Sequence, residues 1–142
     1  MIVPDLNLLV YAYDSTSPKH EAARKWWIGC MSGAESVGIS WFVAFGFVRI
    51  WTNPRVFSNP MTIDKATTHV ESWLARPMVR SLNPGPRHAE IAFRLLRAEG
   101  QGGNLTTDAH LAALAMETGA TLHTADTDFL RFKGLKWVNP LD

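Results

Sequence analysis

Four aspartates carry the chemistry that this sequence offers. Asp5 follows a short apolar run, Ile2-Val3, which Pro4 must end because proline has no N–H for a sheet ladder. Asp126 and Asp128 follow a later run, Ala120–Thr124, in the string HTADTDF. Asp108 opens a helical stretch just beyond Gly100, Gly102 and Gly103. Carboxylates gathered in one place repel and raise one another's pKa, and a divalent cation removes that conflict. No His or Cys stands at ligand spacing beside them, and an oxygen-only set suits Mg²⁺ or Mn²⁺. The matching reaction is attack of metal-activated water on a phosphodiester. Taken singly, capping or solvation explains each Asp better than catalysis does. Taken jointly, Asp5, Asp108 and Asp126 all sit at helix entries or strand exits, and the balance reverses.

Those positions depend on the elements around them. Residues 6–13 predict a short helix. Ser17-Pro18 predicts the N-cap and first residue of the next, whose stripe is Ala23, Trp26, Trp27, Cys30 and Met31. Ser36–Ser40 predicts a strand, and Trp41–Thr52, apolar nearly all round apart from Arg49, a buried helix. A further helix begins at the Thr62 cap, with Ile63, Ala66, Val70, Trp73 and Leu74 inward. Met78–Leu82 predicts a third strand, and residues 86–98 a helix with Ala89, Ala92, Phe93 and Leu96 inward. Asp108–Thr118 predicts a helix closed by Gly119, Ala120–Thr124 a fourth strand, and Leu135–Val138 a fifth. Strands alternating with helices imply βαβ units and a parallel sheet covered on both faces. Sites in such sheets lie outside the carboxyl ends of the strands, where Asp5 and Asp126 fall.

Composition narrows the classes. The chain has 142 residues, 46% hydrophobic and 19% charged, which reads as one globular domain over 1–142. Its formal charge of +1 and the lack of a polybasic run exclude a tail-driven nucleic-acid or membrane binder. The single cysteine excludes an intrachain disulfide and a cysteine zinc cluster. No apolar run approaches a membrane span, and the first residues carry acids rather than a basic leader, so the expected compartment is the cytoplasm.

With the strings IVPDLNLLVYA, SPKHEAARKWW, GFVRIWTNPRVF, GNLTTDAHLAALA, HTADTDFLRF and LKWVNPLD in this order, the chain resembles the PIN-domain ribonucleases, specifically the VapC toxins of bacterial toxin–antitoxin pairs. The resemblance spans nearly the full length. It implies a three-layer α/β/α sandwich around a five-stranded parallel sheet, and a Mg²⁺- or Mn²⁺-dependent endoribonuclease acting on tRNA or ribosomal RNA loops. Asp5, Asp108 and Asp126 match the family's metal-holding acids, Asp128 an auxiliary catalytic acid, and Asn7 and Thr124 the polar positions that support them. The resemblance also implies a VapB-like antitoxin whose basic residue reaches the acid pocket. It further implies a homodimer through the early helices, where the Trp26–Trp27 stripe could serve. One departure stands out: Gly46 occupies the place of the family's helical Glu, and Asp128 is the candidate to fill that deficit, because Glu35 lies at the wrong end of its strand.

Arg49, Arg55 and Arg131 are candidate phosphate contacts, since guanidinium groups grip phosphate oxygens in a fork. Arg49, set in an apolar helix, calls for a partner. Asn104 and Thr107 are better explained as caps than as RNA contacts. Two rival readings remain open here. One is a phosphoaspartyl phosphatase, weakened because Asn7 replaces the second Asp of a DxD pair. The other is an interaction module that has lost catalysis, with Gly46 as its mark.

Overall fold

The computed structural model describes residues 1–142. In chain order the elements are β1 (Ile2–Pro4), α1 (Leu6–Tyr13), α2 (His20–Ser32), β2 (Val37–Ser40), α3 (Trp41–Trp51), α4 (Ile63–Leu74), β3 (Val79–Leu82), α5 (His88–Glu99), α6 (Leu105–Glu117), β4 (Thr121–His123) and β5 (Trp137–Val138), with a 3₁₀ helix over Thr127–Arg131. The five strands form one sheet in the order β3-β2-β1-β4-β5, and every pairing is parallel. This is the α/β architecture the sequence implied.

The order explains where a site must lie. The chain steps outward from β1 to β2 to β3, then crosses back to β4 on the other side of β1. Right-handed crossovers in opposite directions put their helices on opposite faces. Thus α1–α4 cover one face, and the α5–α6 pair the other. The reversal opens a crevice at the carboxyl ends of β1 and β4. Those strands pair Pro4 with His123, so Asp5 and Thr124 leave the sheet side by side. The central strands are buried on both faces, with Val3, Val37 and Leu122 fully enclosed.

Several sequence expectations need correction. Ser17-Pro18 does not open α2. The helix begins at His20, and Ser17 instead accepts from the Lys19 N–H in the preceding turn. Helix α3 is not buried all round. Val43, Ala44, Phe47 and Trp51 face inward, whereas Trp41, Phe42, Phe45 and Arg49 are exposed, so Arg49 needs no buried partner. Ile63 is exposed in the first turn of α4, and α5 turns Ile91, Ala92 and Leu95 inward while Ala89 and Phe93 face solvent. In each case an apolar side chain lies on the outer flank of a stripe, a position that spacing alone places only to within one residue. No helix is long and apolar enough to cross a membrane.

Candidate active site

Asp5 is the N-cap of α1. Its Oδ1 accepts from the Leu6 N–H at 2.7 Å and its Oδ2 from the Thr124 hydroxyl at 2.7 Å. Its carboxylate is buried, and burial raises its pKa against the lowering effect of those two bonds; Asp126 adds to the rise. Thr124 is fully buried, and its Oγ1 also accepts from the Asp126 N–H at 3.0 Å. Asp126 then caps the 3₁₀ helix, accepting from the Asp128 N–H at 2.9 Å.

Asp108 arrives from the opposite layer. Helix α6 begins three residues earlier than its sequence suggested, at Leu105, so Asp108 lies inside the first turn and does not cap it. Asn104 makes no side-chain cap either, and Thr107 donates to the Asn104 carbonyl. One carboxylate oxygen each from Asp108, Asp126 and Asp128 lie within 4.8 Å of one another. Burial pushes the Asp108 carboxyl up to about 6, and Asp126, Asp5 and Asp128 push in the same direction, in that order. The four acids therefore share one electrostatic site. Its tightest trio contains Asp128, while Asp5 stands at its base with both oxygens engaged.

These oxygens fit a hard dication. They are carboxylates only, they converge from different elements, and only Asp128 among them pairs with a cationic side chain of the protein. The nearest guanidinium, Arg131, reaches Asp128 at 3.8 Å and Glu99 at 3.9 Å, both loose contacts at the surface.

Other predicted residues stand apart. Asn7 is exposed and makes no hydrogen bond to an acid, so the brace on Asp5 is Thr124 and the Leu6 N–H. Arg49 lies in the last turn of α3 and Arg55 in the loop after it, and neither pairs with an acid. Glu35 meets the N-terminal amine at 3.5 Å, at the far end of the sheet. His110, two residues past Asp108, turns to His88 at 2.9 Å and away from the acids.

Sequence reading missed Leu6. A Cβ placed on Gly46 would sit 2.6 Å from Leu6 Cδ2, so Leu6 occupies the space a side chain at 46 would need. Its place beside Asp5 was the available signal.

Comparison with known proteins agrees with this fold. The PIN domain family model matches residues 2–135. The chain belongs to the PIN-domain family. Within that family its relatives are VapC proteins. Ribonuclease VapC33 of Mycobacterium tuberculosis is 44% identical over 141 residues, 99% of each chain. Among solved structures, VapBC-1 of nontypeable Haemophilus influenzae superposes with a TM-score of 0.70 at 16% identity, covering 100% of both chains. M. tuberculosis VapC20, described as a sarcin-ricin loop cleaving toxin, superposes with a TM-score of 0.67 at 18% identity, covering 96% of this chain and 99% of that one. PIN nucleases generally use divalent metal ions, and the acid cluster of this PIN domain has the oxygens to hold one.

Proposed function

We propose that this PIN domain is a Mg²⁺- or Mn²⁺-dependent endoribonuclease, the toxin of a toxin–antitoxin pair. The observation that carries the reading is the convergence of Asp108, Asp126 and Asp128 over Asp5 at the crevice between β1 and β4. The relative VapC33, named a ribonuclease, supports it.

Asp5, Asp108 and Asp126 hold the cation, directly or through its waters. Asp128 supports them and orients the attacking water. When bound, the cation supplies an activated water and positive charge for the scissile phosphodiester. Thr124 fixes the Asp5 carboxylate and the turn that presents Asp126, the kind of outer support that ligating carboxylates require. Arg131, already beside Asp128, offers a guanidinium to the phosphate backbone. A single Mg²⁺ keeps several waters, so the absence of a side chain at Gly46 leaves enough oxygens for one ion. The substrate is RNA, with tRNA and ribosomal RNA loops as the candidates; the described action of VapC20 on the sarcin-ricin loop supports the latter.

The partner is a VapB-like antitoxin, as the VapBC-1 complex of H. influenzae suggests. A basic antitoxin residue entering the acid cluster would compete with the cation for the same oxygens.

The test incubates the purified chain with total RNA and Mg²⁺ or Mn²⁺, with EDTA and Asp5→Ala as controls, and sequences the new 5′ ends. Discrete cleavage that both controls abolish is expected. Cleavage surviving both sinks the metal-site reading, and no cleavage of any RNA favours the interaction module.

A further inference from the structure

A cavity of about 620 Å³ lies apart from the four acids. Its walls include Asp14 at the end of α1, Trp51 at the end of α3, Phe57 in the loop that follows, and Lys65 in α4. That volume admits a small polar molecule or one unit of a polymer.

The walls divide by chemistry. Half-buried Phe57 lies flat on buried Trp51, with ring centroids 3.9 Å apart and planes 3° from parallel. Trp51 is 6% exposed, and its indole N–H has no acceptor in the chain. Buried donors in that state are rare, and a bound group bearing an acceptor would complete it. Asp14 is held in place. Its Oδ1 accepts from the Thr16 N–H at 3.1 Å and from the Thr16 hydroxyl at 2.7 Å, which leaves Oδ2 without a partner. Lys65 is exposed and forms no ion pair. It lies in the first turn of α4, where the helix dipole also favours an anion. An aromatic plate, an open carboxylate oxygen and an unpaired ammonium answer the three parts of a ribonucleotide: base, ribose hydroxyl and phosphate.

Helix α1 leads from the acids to this cavity. Asp5 caps its start and Asp14 its end. The helical rise sets them roughly 13 Å apart, which a few nucleotides of single strand cover. Between them the outer face carries exposed Asn7 and, one turn on, half-exposed Tyr11. The Lys19 ammonium stands 5.1 Å from the centre of the Tyr11 ring. A strand following this face meets an amide, a ring and a cation before it reaches the cavity.

We propose that the cavity takes one ribonucleotide of the RNA strand that crosses the acids, with its base against Phe57, its ribose 2′-hydroxyl on Asp14 and a phosphate on Lys65. The identity of the strand rests on the nuclease reading above. The chemistry of the cavity does not, and a free ribonucleoside monophosphate shares it. Stacking accepts any base, because every base has a π-face. The 2′-hydroxyl is absent from DNA, so the contact with Asp14 selects the sugar rather than the sequence.

Fluorescence anisotropy in EDTA tests this without cleavage. The probes are a labelled short single-stranded RNA of random sequence and DNA of the same length, with ribonucleoside 5′-monophosphates as competitors. RNA is expected to bind more tightly than DNA. Phe57→Ala and Lys65→Gln should each weaken RNA binding by about tenfold. Lys65→Gln should also flatten the dependence of log affinity on log salt by roughly 0.7. Asp14→Ala should erase the preference for RNA over DNA. Far-UV circular dichroism confirms that each variant is folded, and exposed Lys65 keeps the test open should Phe57→Ala fail to fold. RNA binding that the variants leave unchanged overturns the proposal. So does a cavity that takes free monophosphates while RNA binding ignores the variants, or one that takes no nucleotide at all. Cleavage is measured separately with Mg²⁺ or Mn²⁺. A chain that cuts RNA but ignores the variants loses this inference alone, and one that binds RNA here but cuts none loses the nuclease reading alone.

Discussion

Thr124 Oγ1 lies between Asp5 and Asp126, donating to the Asp5 carboxylate at 2.7 Å and accepting from the Asp126 N–H at 3.0 Å. One buried hydroxyl thus ties the acid that ends β1 to the turn that follows β4.

Thr124→Val keeps the shape and removes both bonds. The half-buried Asp126 N–H loses its acceptor and the buried Asp5 carboxylate its donor, at a cost of about 1–3 kcal/mol. Urea unfolding should report that loss, and a Mn²⁺ titration should show affinity reduced about 10- to 100-fold. Thr124→Ser, which keeps the hydroxyl, should retain most of both. Equal behaviour of the Val and Ser variants would remove the hydroxyl from the site.

Asp108 makes the metal-free protein sensitive to pH. Its carboxyl is raised from 3.8 to about 6 by burial and by its acidic neighbours. Across that window the folded chain holds a proton that the unfolded chain has released, so stability is highest below the lower value and falls as pH rises toward the upper one. Asp108→Asn should therefore stabilise the metal-free chain at neutral pH, by about 1–2 kcal/mol after allowance for solvent screening. It should also abolish cleavage. Thermal melts at pH 4.5 and pH 7 (about those values) compare the two chains; an unchanged difference between them would contradict the crowding of charge.

Adding Mn²⁺ should reverse the same effect in the wild type. A ligand that binds only the folded state raises stability by about 2.7 kcal/mol at one hundred times its dissociation constant. The melting temperature should climb with Mn²⁺ and fall back with EDTA. In Asp126→Asn the climb should be much smaller, and an identical climb would place the ion elsewhere.

Gly46 and Leu6 should prove coupled. Gly46→Ala drives a methyl to within 2.6 Å of Leu6 Cδ2 and should cost about 1–3 kcal/mol by overpacking. Leu6→Ala alone should cost about 2–5 kcal/mol as a cavity. The double variant should be more stable than the sum of the two costs predicts, because each change relieves the other. Strict additivity in urea unfolding would show that the two sites do not meet.

Much of this protein was written locally. Asp5 after Pro4, Asp126 after the HTA string and the alternation of strands with helices were enough to place acids at strand exits, because strand ends and caps follow from residues near in sequence. The strings of the PIN family then supplied the sheet and the expected acids. Contacts between distant residues were not legible in the same way. Nothing near position 46 announces Leu6, and Thr124, 119 residues from Asp5, was expected as its support only through the family resemblance, beside an Asn7 that makes no bond to an acid.

The sequence alone determined which groups are present, the order of the elements and the kind of ion their oxygens suit. The tertiary structure decided which acids meet most closely, which face of α3 stays in water and where Arg49 points. The reason is one of range. Capping and periodicity act over a few residues, whereas the parallel pairing of β1 with β4, and the delivery of α6 from the opposite layer, depend on how the whole sheet is wound.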